Sequence, residues 1–403
     1  MALMPVHDAL AEVLAEAGPL GAESEPLDSA HGRVLAAPVV AARSTPAADV
    51  SAMDGYAVRA QDAAAGAVLE VAGESAAGTP FPGRLGAGEA VRIFTGAVMP
   101  AGADAVVIQE DTRREGGRVT VLEAATEGRH IRRAGGDFAA GAIVLPAGRR
   151  LTARDLALAA AADRAELEVV RRPVVGLLST GDELVRPGAG AGPHQVILSN
   201  VYSVGALARL AGAEVRDLGT LPDDRAATEQ ALRAALDAEI DILVTTGGAS
   251  VGDHDLVAPA LLALGVRLAV HKVALRPGKP LMFGRFGASH VLGLPGNPVS
   301  AHVCALLFLH PLIRRLAGLP AAEGLPLRPA RLAADLRAND QRMDFMRAEI
   351  VGTADGVALV RPLPVQDSSM LSVLARADAL LVRPPFAPAA AAGEACEILP
   401  LDD

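Results

Sequence analysis

Residues 173–184 read PVVGLLSTGDEL, an apolar run that breaks off into Ser179-Thr180-Gly181-Asp182-Glu183. The same form recurs as EVRDLGTLPDD at 214–224, DILVTTGGASVGD at 241–253 and HVLGLPGNP at 290–298. Short apolar runs bounded by turn residues read as buried strands. Between and beside them lie SNVYSVGALARLAG (199–212), DRAATEQALRAALD (224–237) and LVAPALLAL (256–264), whose apolar residues fall at helical spacing. LMFGRF (281–286) adds a strand, and a long helix runs to Leu316. Strands alternating with amphipathic helices imply crossovers and a sheet buried on both faces. Residues 173–320 are therefore expected to form a doubly wound, mostly parallel α/β domain.

In such a sheet, ligands bind beyond the carboxyl ends of the strands. Those ends carry Ser179, Thr180 and Gly181, then Gly247, Gly248 and Ser250, and finally the turn Pro295-Gly296-Asn297-Pro298. Glycine lets a backbone approach a ligand closely, and helix N-termini offer unpaired N–H groups, so these loops suit a phosphate. Asp182, Glu183, Asp223, Asp224, Asp253 and Asp255 fall on the same edge. Carboxylates gather only around a cation or with raised pKa values, and a hard ion such as Mg²⁺ fits oxygen donors beside phosphate. Asp223 or Asp224, just before RAATEQAL, equally suits a helix N-cap.

Outward from this domain the texture changes. Residues 6–17 (VHDALAEVLAEA) have a helical apolar stripe, and 46–138 is cut into short strands such as VLEV, AVRIF, DAVVIQ and RVTVL. A helix in TARDLALAAAA (152–162) follows, and residues 321–403 are strand-like and broken by prolines. The expected organisation is a discontinuous N-terminal domain (1–45 with 139–172), a small β-rich domain (46–138), the α/β domain (173–320) and a C-terminal β domain (321–403).

The chain has 403 residues, 51% hydrophobic and 21% charged, which excludes a disordered polymer. Its net charge of −10 argues against a broad nucleic-acid surface. No apolar run approaches the roughly 20 residues of a membrane span, and no basic flank precedes an apolar stretch at the N-terminus. Cys304 and Cys396 have no metal-type spacing and read as ordinary reduced thiols. A cytoplasmic protein is expected. GxSxG, GxGxxG after a strand, and GxxxxGK[ST] are all missing, which argues against a serine hydrolase, a dinucleotide oxidoreductase and a P-loop kinase.

The composition is rich in Ala, Gly, Arg, Pro and Leu, so its exceptions carry information. Of 37 basic residues only Lys272 and Lys279 are lysines, both within HKVALRPGKP. The only asparagines are Asn200, Asn297 and Asn339, and the only tyrosines Tyr56 and Tyr202. Arginine replaces lysine well on a solvated surface and poorly where a compact point charge is needed. Lys272, Arg276 and Lys279, fixed by Pro277, Gly278 and Pro280, therefore form a candidate anion site. In the first half, SAMDGYA (51–57), FTGAVMP (94–100) and RRAGGDF (132–138) are polar turns; spacing leaves open whether they join a site or merely turn the chain.

SAMDGYA, FTGAVMP, RRAGGDF, LLSTGDEL, SNVYSV, TTGGASVGD, RPGKP and LPGNPVSA occur in this order along nearly the whole chain. In this the sequence resembles the molybdopterin molybdenumtransferase family, the bacterial MoeA type related to the gephyrin E domain. The resemblance implies four-domain subunits that insert molybdate, a substrate, into adenylylated molybdopterin and release AMP, with Mg²⁺ as cofactor. It also implies a homodimer with an active site shared between subunits, the 1–45 and 139–172 segments forming the dimerisation domain. By motif, Asp54, Thr95, Asp137, Glu183, Asp255, Lys272 and Arg276 fall on catalytic positions, with Lys279 a catalytic candidate from the lysine bias alone, and Glu183 and Asp255 are the implied metal ligands. Arg132, the strand-end residues above, Asp223 or Asp224, and Arg347 and Ser368 fall on substrate positions. The family usually has lysine where Arg276 stands, so an electrostatic role survives there but acid–base chemistry does not. Two alternatives are the related adenylyltransferase reaction, which the SAMDGY half and the C-terminal domain disfavour, and a gephyrin-like binding scaffold.

Overall fold

The computed structural model describes residues 3–221, 224–248, 256–270, 272–319 and 325–401. The chain divides into two compact units, Met1–Glu23 with Val170–Asp403, and Ser24–Val169.

In the first unit a six-stranded sheet has the order Glu214–Leu221, Val174–Thr180, Ile242–Thr246, Ser289–Leu294, Met282–Phe286, Arg267–Val270. The first four strands are parallel, with Leu177 beside Asp217 and Val244, and Val244 beside Leu292. The last two run antiparallel to their neighbours. Side chains alternate between the faces, as a strand requires. Val175, Leu177, Ile242 and Val244 pack with the helices Val6–Ala15, Asn200–Leu210 and Pro298–Leu316. Val174, Leu178, Leu243 and Val291 pack with Arg225–Asp237 and Val257–Ala263. This is the doubly wound arrangement expected.

Pro298–Leu316 is long and apolar enough to cross a membrane by length and composition. Its residues Val299, Val303, Leu307, Phe308 and Leu312 have no exposed surface, so it is the core helix of this domain. The N-terminal helix departs from the expected domain division. Val6, Ala9, Leu10 and Val13 join the core of the α/β domain, and Arg315 Nε donates to the Ala17 carbonyl at 3.0 Å. Residues 1–23 thus belong with 170–403, whereas the sequence reading placed 1–45 together. A stripe's periodicity identifies a buried face without identifying the core it enters.

The C-terminal strands Arg328–Leu332, Met343–Ala354, Val357–Pro362, Ala379–Arg383 and Ala395–Pro400 form a closed ring, because Met343–Ala354 pairs with both Val357–Pro362 and Ala379–Arg383. A sixth strand on this barrel, Leu275–Arg276, comes from the α/β domain and lies parallel to Met343–Ala354, with Arg276 opposite Asp344. The boundary expected at 320/321 is therefore crossed by a strand.

In the second unit, six strands in the order Ala105–Ile108, Gly55–Val58, Glu89–Ile93, Val68–Ser75, Arg118–Val121, Thr112–Glu115 form the small β domain. Residues from 27–45 and 139–169 share another core, including Leu35, Val39, Leu145, Leu151 and Leu167. Its helix Ala153–Ala161 starts with a capping box between Thr152 and Asp155.

His290, opposite Arg285 in the central sheet, is 2% exposed and its Nδ1 has no partner among the described residues. Burial, reinforced by Arg285, pushes its pKa down to about 4. The unfolded chain then binds an extra proton between about pH 4 and the ordinary histidine value of about 6.5, so this contribution is complete above pH 6.5 and lost as pH falls towards 4. The stability measured by urea unfolding should therefore fall by roughly 3 kcal/mol more between pH 7 and pH 4 in the wild type than in His290→Met.

Candidate active site

A cleft of about 700 Å³ opens at the carboxyl ends of the parallel strands, lined by Thr180, Glu183, Gly247, Gly248, Asn297 and Ser369, among others. Ser179 Oγ and Thr246 Oγ1 lie 3.1 Å apart, joining adjacent strand ends, and Thr180 Oγ1 donates to the Thr246 carbonyl at 3.5 Å. Gly247 turns the chain back at φ +90, where an added Cβ would stand 2.7 Å from Thr180 Oγ1. Gly247 is thus required by a close approach of two loops, and Gly248 by the Val257 side chain. Ser179 is buried beneath the cleft floor, while Glu183 is exposed at its side.

The PGNP turn is held from both sides. Asn200 Nδ2 donates to the Gly296 carbonyl at 2.8 Å, and Asn297 Nδ2 donates to Ser368 Oγ at 3.0 Å. Pro298 opens the core helix, where its missing N–H costs nothing. The Ser368 carbonyl accepts from Val299 N at 3.1 Å, so the C-terminal domain forms one wall of the cleft. Behind that wall Arg347 is 1% exposed; its Nη2 reaches the Asp367 carbonyl at only 3.4 Å and its Nε has no partner among the described residues. Burial pushes its guanidinium pKa down. Leaving a buried guanidinium donor unsatisfied is costly, which marks Arg347 as an unusual feature of this wall.

In HKVALRPGKP, Lys272 is half-buried and Lys279 exposed. Val273 N donates to the Lys279 carbonyl at 3.1 Å, and Met4 N to the Lys272 carbonyl at 3.0 Å. At Gly278, with φ +116, a Cβ would overlap Cys304 Sγ, so only glycine fits. Pro280 reaches the cleft. Arg276 turns from the lysines to the barrel, where Asn339, Asp340 and Asp344 accept its donors.

Asp224 is the N-cap of Arg225–Asp237, accepting from Ala227 N at 2.8 Å, which was one of the two roles open to it. Asp223, Ser250, Asp253 and Asp255 lie outside the described residues. Among the described residues no group of three or more His, Cys, Asp or Glu side chains could hold a metal ion. Of the six carboxylates in the cluster expected from the sequence, only Asp182, Glu183 and Asp224 are among the described residues.

In the second unit the three motifs left open by spacing come together. Ile131–Arg132 pairs with Val50–Ser51, and Ser51 exchanges backbone hydrogen bonds with Gly96 and Ala97. Asp54 Oδ1 accepts from Thr95 N at 2.7 Å and from Thr95 Oγ1 at 2.8 Å. These two donors hold the Asp54 carboxyl below the usual carboxylate range. Gly55 is obligatory, since a Cβ there would overlap the Val107 carbonyl oxygen. Arg132 and Asp137 are exposed beside the turn, and Asp49 bridges Arg133 at 2.6 Å.

Sequence reasoning missed Arg92. Its guanidinium lies 5.2 Å from the Tyr56 ring centre and 4.9 Å from that of Phe94. It donates to the Gly55 carbonyl at 3.1 Å and to Gln109 Oε1 at 2.9 Å, tying the Asp54 turn to the Thr95 turn. A charged residue inside the apolar run AVRIF was the available signal.

A strand-end cleft reached by the lysine loop at Pro280 and walled by a β barrel, with a separate β domain that carries Asp54, defines a multidomain α/β protein. Family models match in sequence: the MoeA N-terminal region (domain I and II) at 4–162, the probable molybdopterin-binding domain at 176–315, and the MoeA C-terminal region (domain IV) at 329–401. The chain is 37% identical to the molybdopterin molybdenumtransferase of Haemophilus influenzae over 93% of both chains. It is 40% identical to molybdopterin molybdenumtransferase 2 of Mycobacterium tuberculosis, again over 93% of each. The molybdopterin biosynthesis MoeA protein of Pyrococcus horikoshii superposes with a TM-score of 0.87 at 30% identity, covering 100% of both chains. The chain belongs to the molybdopterin molybdenumtransferase family.

Thr95→Ala keeps the backbone donor to Asp54 and removes the hydroxyl. A pH titration of the Asp54 carboxyl carbon by NMR should show its pKa move up towards the ordinary value in that variant.

Proposed function

We propose that this enzyme inserts molybdate into adenylylated molybdopterin, releasing AMP and molybdenum cofactor. The observation that carries the reading is the juxtaposition around one cleft of a glycine- and hydroxyl-lined cradle, a loop holding both of the chain's lysines, and a barrel wall at Ser368. A diphosphate needs the first, and an oxyanion needs the cations.

In this reading Thr180, Gly181, Gly247, Gly248 and Asn297 seat the diphosphate at the strand ends. Lys272 and Lys279 hold molybdate by charge, with Arg347 as a further receptor behind Ser368. Bringing oxyanion, dithiolene and phosphoanhydride together supplies the greater part of the rate through proximity. Mg²⁺ fits the donor set: Glu183 and the cleft hydroxyls are hard oxygen donors, and this ion commonly takes one or two carboxylates beside substrate phosphate. Glu183, with Asp255 from the sequence, would hold it, and when bound it withdraws charge from the diphosphate. Asp54, oriented by Thr95, is supplied by the second copy of a cytoplasmic homodimer, with Arg132 and Asp137 beside it.

The test is AMP release from adenylylated molybdopterin by the purified protein with molybdate and Mg²⁺. Turnover should vanish with EDTA and return with Mg²⁺. No AMP release under any of these conditions would reject the reading, and ATP-dependent loading of AMP onto molybdopterin would replace it with the adenylyltransferase. Lys279→Arg should lower the rate by roughly 10²-fold without unfolding the protein, the usual scale for one transition-state interaction. Asp54→Ala and Glu183→Ala should each be inactive alone. Randomly reassembled, about half the dimers are mixed and each keeps one intact site of two, so about a quarter of wild-type turnover should return. With subunit exchange confirmed by mass, no recovery would place both residues in one subunit's site.

A further inference from the structure

Arg276 is the point where the lysine loop leaves the α/β domain and becomes an edge strand of the C-terminal barrel. Met343 N donates to the Ala274 carbonyl at 2.9 Å, fixing that strand's register. The Arg276 guanidinium is then spent on the barrel. Nε and Nη2 lie 3.1 and 2.9 Å from Asp344 Oδ2, Nη2 is 3.0 Å from Asn339 Oδ1, and Nη1 is 3.3 Å from Asp340 Oδ2.

The acceptors are themselves braced. Asn339 Nδ2 donates to the carbonyls of Arg342 and Pro384 at 2.8 Å each and of Arg383 at 3.0 Å, while its Oδ1 also accepts from Asp340 N at 2.9 Å. Asp340 Oδ1 accepts from Arg342 N at 2.9 Å. Asp344 is largely buried, and burial raises its carboxyl pKa despite the opposing arginine. Asn339 thus clamps the start of one barrel strand to the end of another and presents its free oxygen lone pair to Arg276. A planar arginine fork meets three such acceptors at once, as a lysine ammonium cannot in one plane.

The loop around Arg276 has little slack. Lys272 and Lys279 lie within four residues of it, and between them stand Pro277, Gly278 against Cys304, and the Val273–Lys279 hydrogen bond. Wherever Arg276 is held, the backbone that carries both lysines follows. We propose that Asn339 and Asp344 are positioning residues that act through Arg276 to fix the loop that carries Lys272 and Lys279 and reaches the cleft at Pro280, so that the C-terminal barrel sets the geometry of the oxyanion site. The oxyanion part of this inference rests on the function proposed above; the tie between barrel and lysines does not.

The sequence makes the test direct, because these two are the chain's only lysines. In the full-length protein, trace acetic anhydride labels each amine, and fragmentation in the mass spectrometer of the arginine-cleaved peptide Leu268–Arg285, which carries both lysines, reads each rate. Asp344→Asn keeps the shape and removes the charge, and a neutral group suits that buried position. Arg276→Met removes the fork, and Arg276→Lys returns one charge without it. Lys272 labelling should rise at least threefold in Asp344→Asn and Arg276→Met, with Arg276→Lys between them and the wild type. The KM for molybdate should rise about tenfold or more in the first two, with a smaller change in kcat. A tie that only stabilises the fold would shift the urea midpoint and leave labelling and KM alone. Unchanged labelling in folded Asp344→Asn and Arg276→Met would overturn the proposal. Altered labelling in a protein that never releases AMP would keep the tie and discard the functional reading.

Discussion

Parallel strands share a direction, so their carboxyl ends share an edge. Everything else in the cleft depends on that constraint. The tails of Val174–Thr180, Ile242–Thr246 and Ser289–Leu294 are far apart in sequence and adjacent here because their strands lie side by side. The Ser179–Thr246 hydroxyl contact, the Gly247 turn against Thr180 and the Asn200 bond to Gly296 are consequences of that adjacency. Burial of both faces of the sheet holds the edge still, which lets short polar side chains keep a defined geometry.

The residues that escape the compositional bias of this chain share a physical character. All three asparagines make long-range contacts: Asn200 supports the PGNP turn, Asn297 reaches Ser368, and Asn339 receives Arg276. A primary amide donates and accepts in one plane without charge, so neither aspartate nor serine reproduces these contacts. The lysines are compact ammonium groups in a chain that otherwise uses arginine. Where substitution is chemically free, the bias prevails; where a particular donor set is needed, it does not.

The carboxylate of Asp54 shows the same economy on a different scaffold. Two Thr95 donors, a glycine that admits the Val107 carbonyl, and Arg92 beside two aromatic rings hold one half-buried acid. The donors keep the carboxylate ionised and fixed.

The sequence by itself determined the strand–helix alternation of 173–320, the glycine and hydroxyl loops at the strand ends, the singular position of Lys272 and Lys279, and the family, because periodicity, turn chemistry and ordered motifs are local properties. The tertiary structure alone decided which core a stripe enters, which acid is spent as a cap, and which distant groups meet. Val6–Ala15 could have packed against any apolar face, and Asp224 could have faced a ligand or Ala227. The edge strand Leu275–Arg276 was hidden because two residues carry no periodicity, and Asn339 and Asp344 were hidden because their partner lies more than sixty residues away. Long-range hydrogen bonds are fixed by the packing of whole domains, and no local pattern in the chain encodes them.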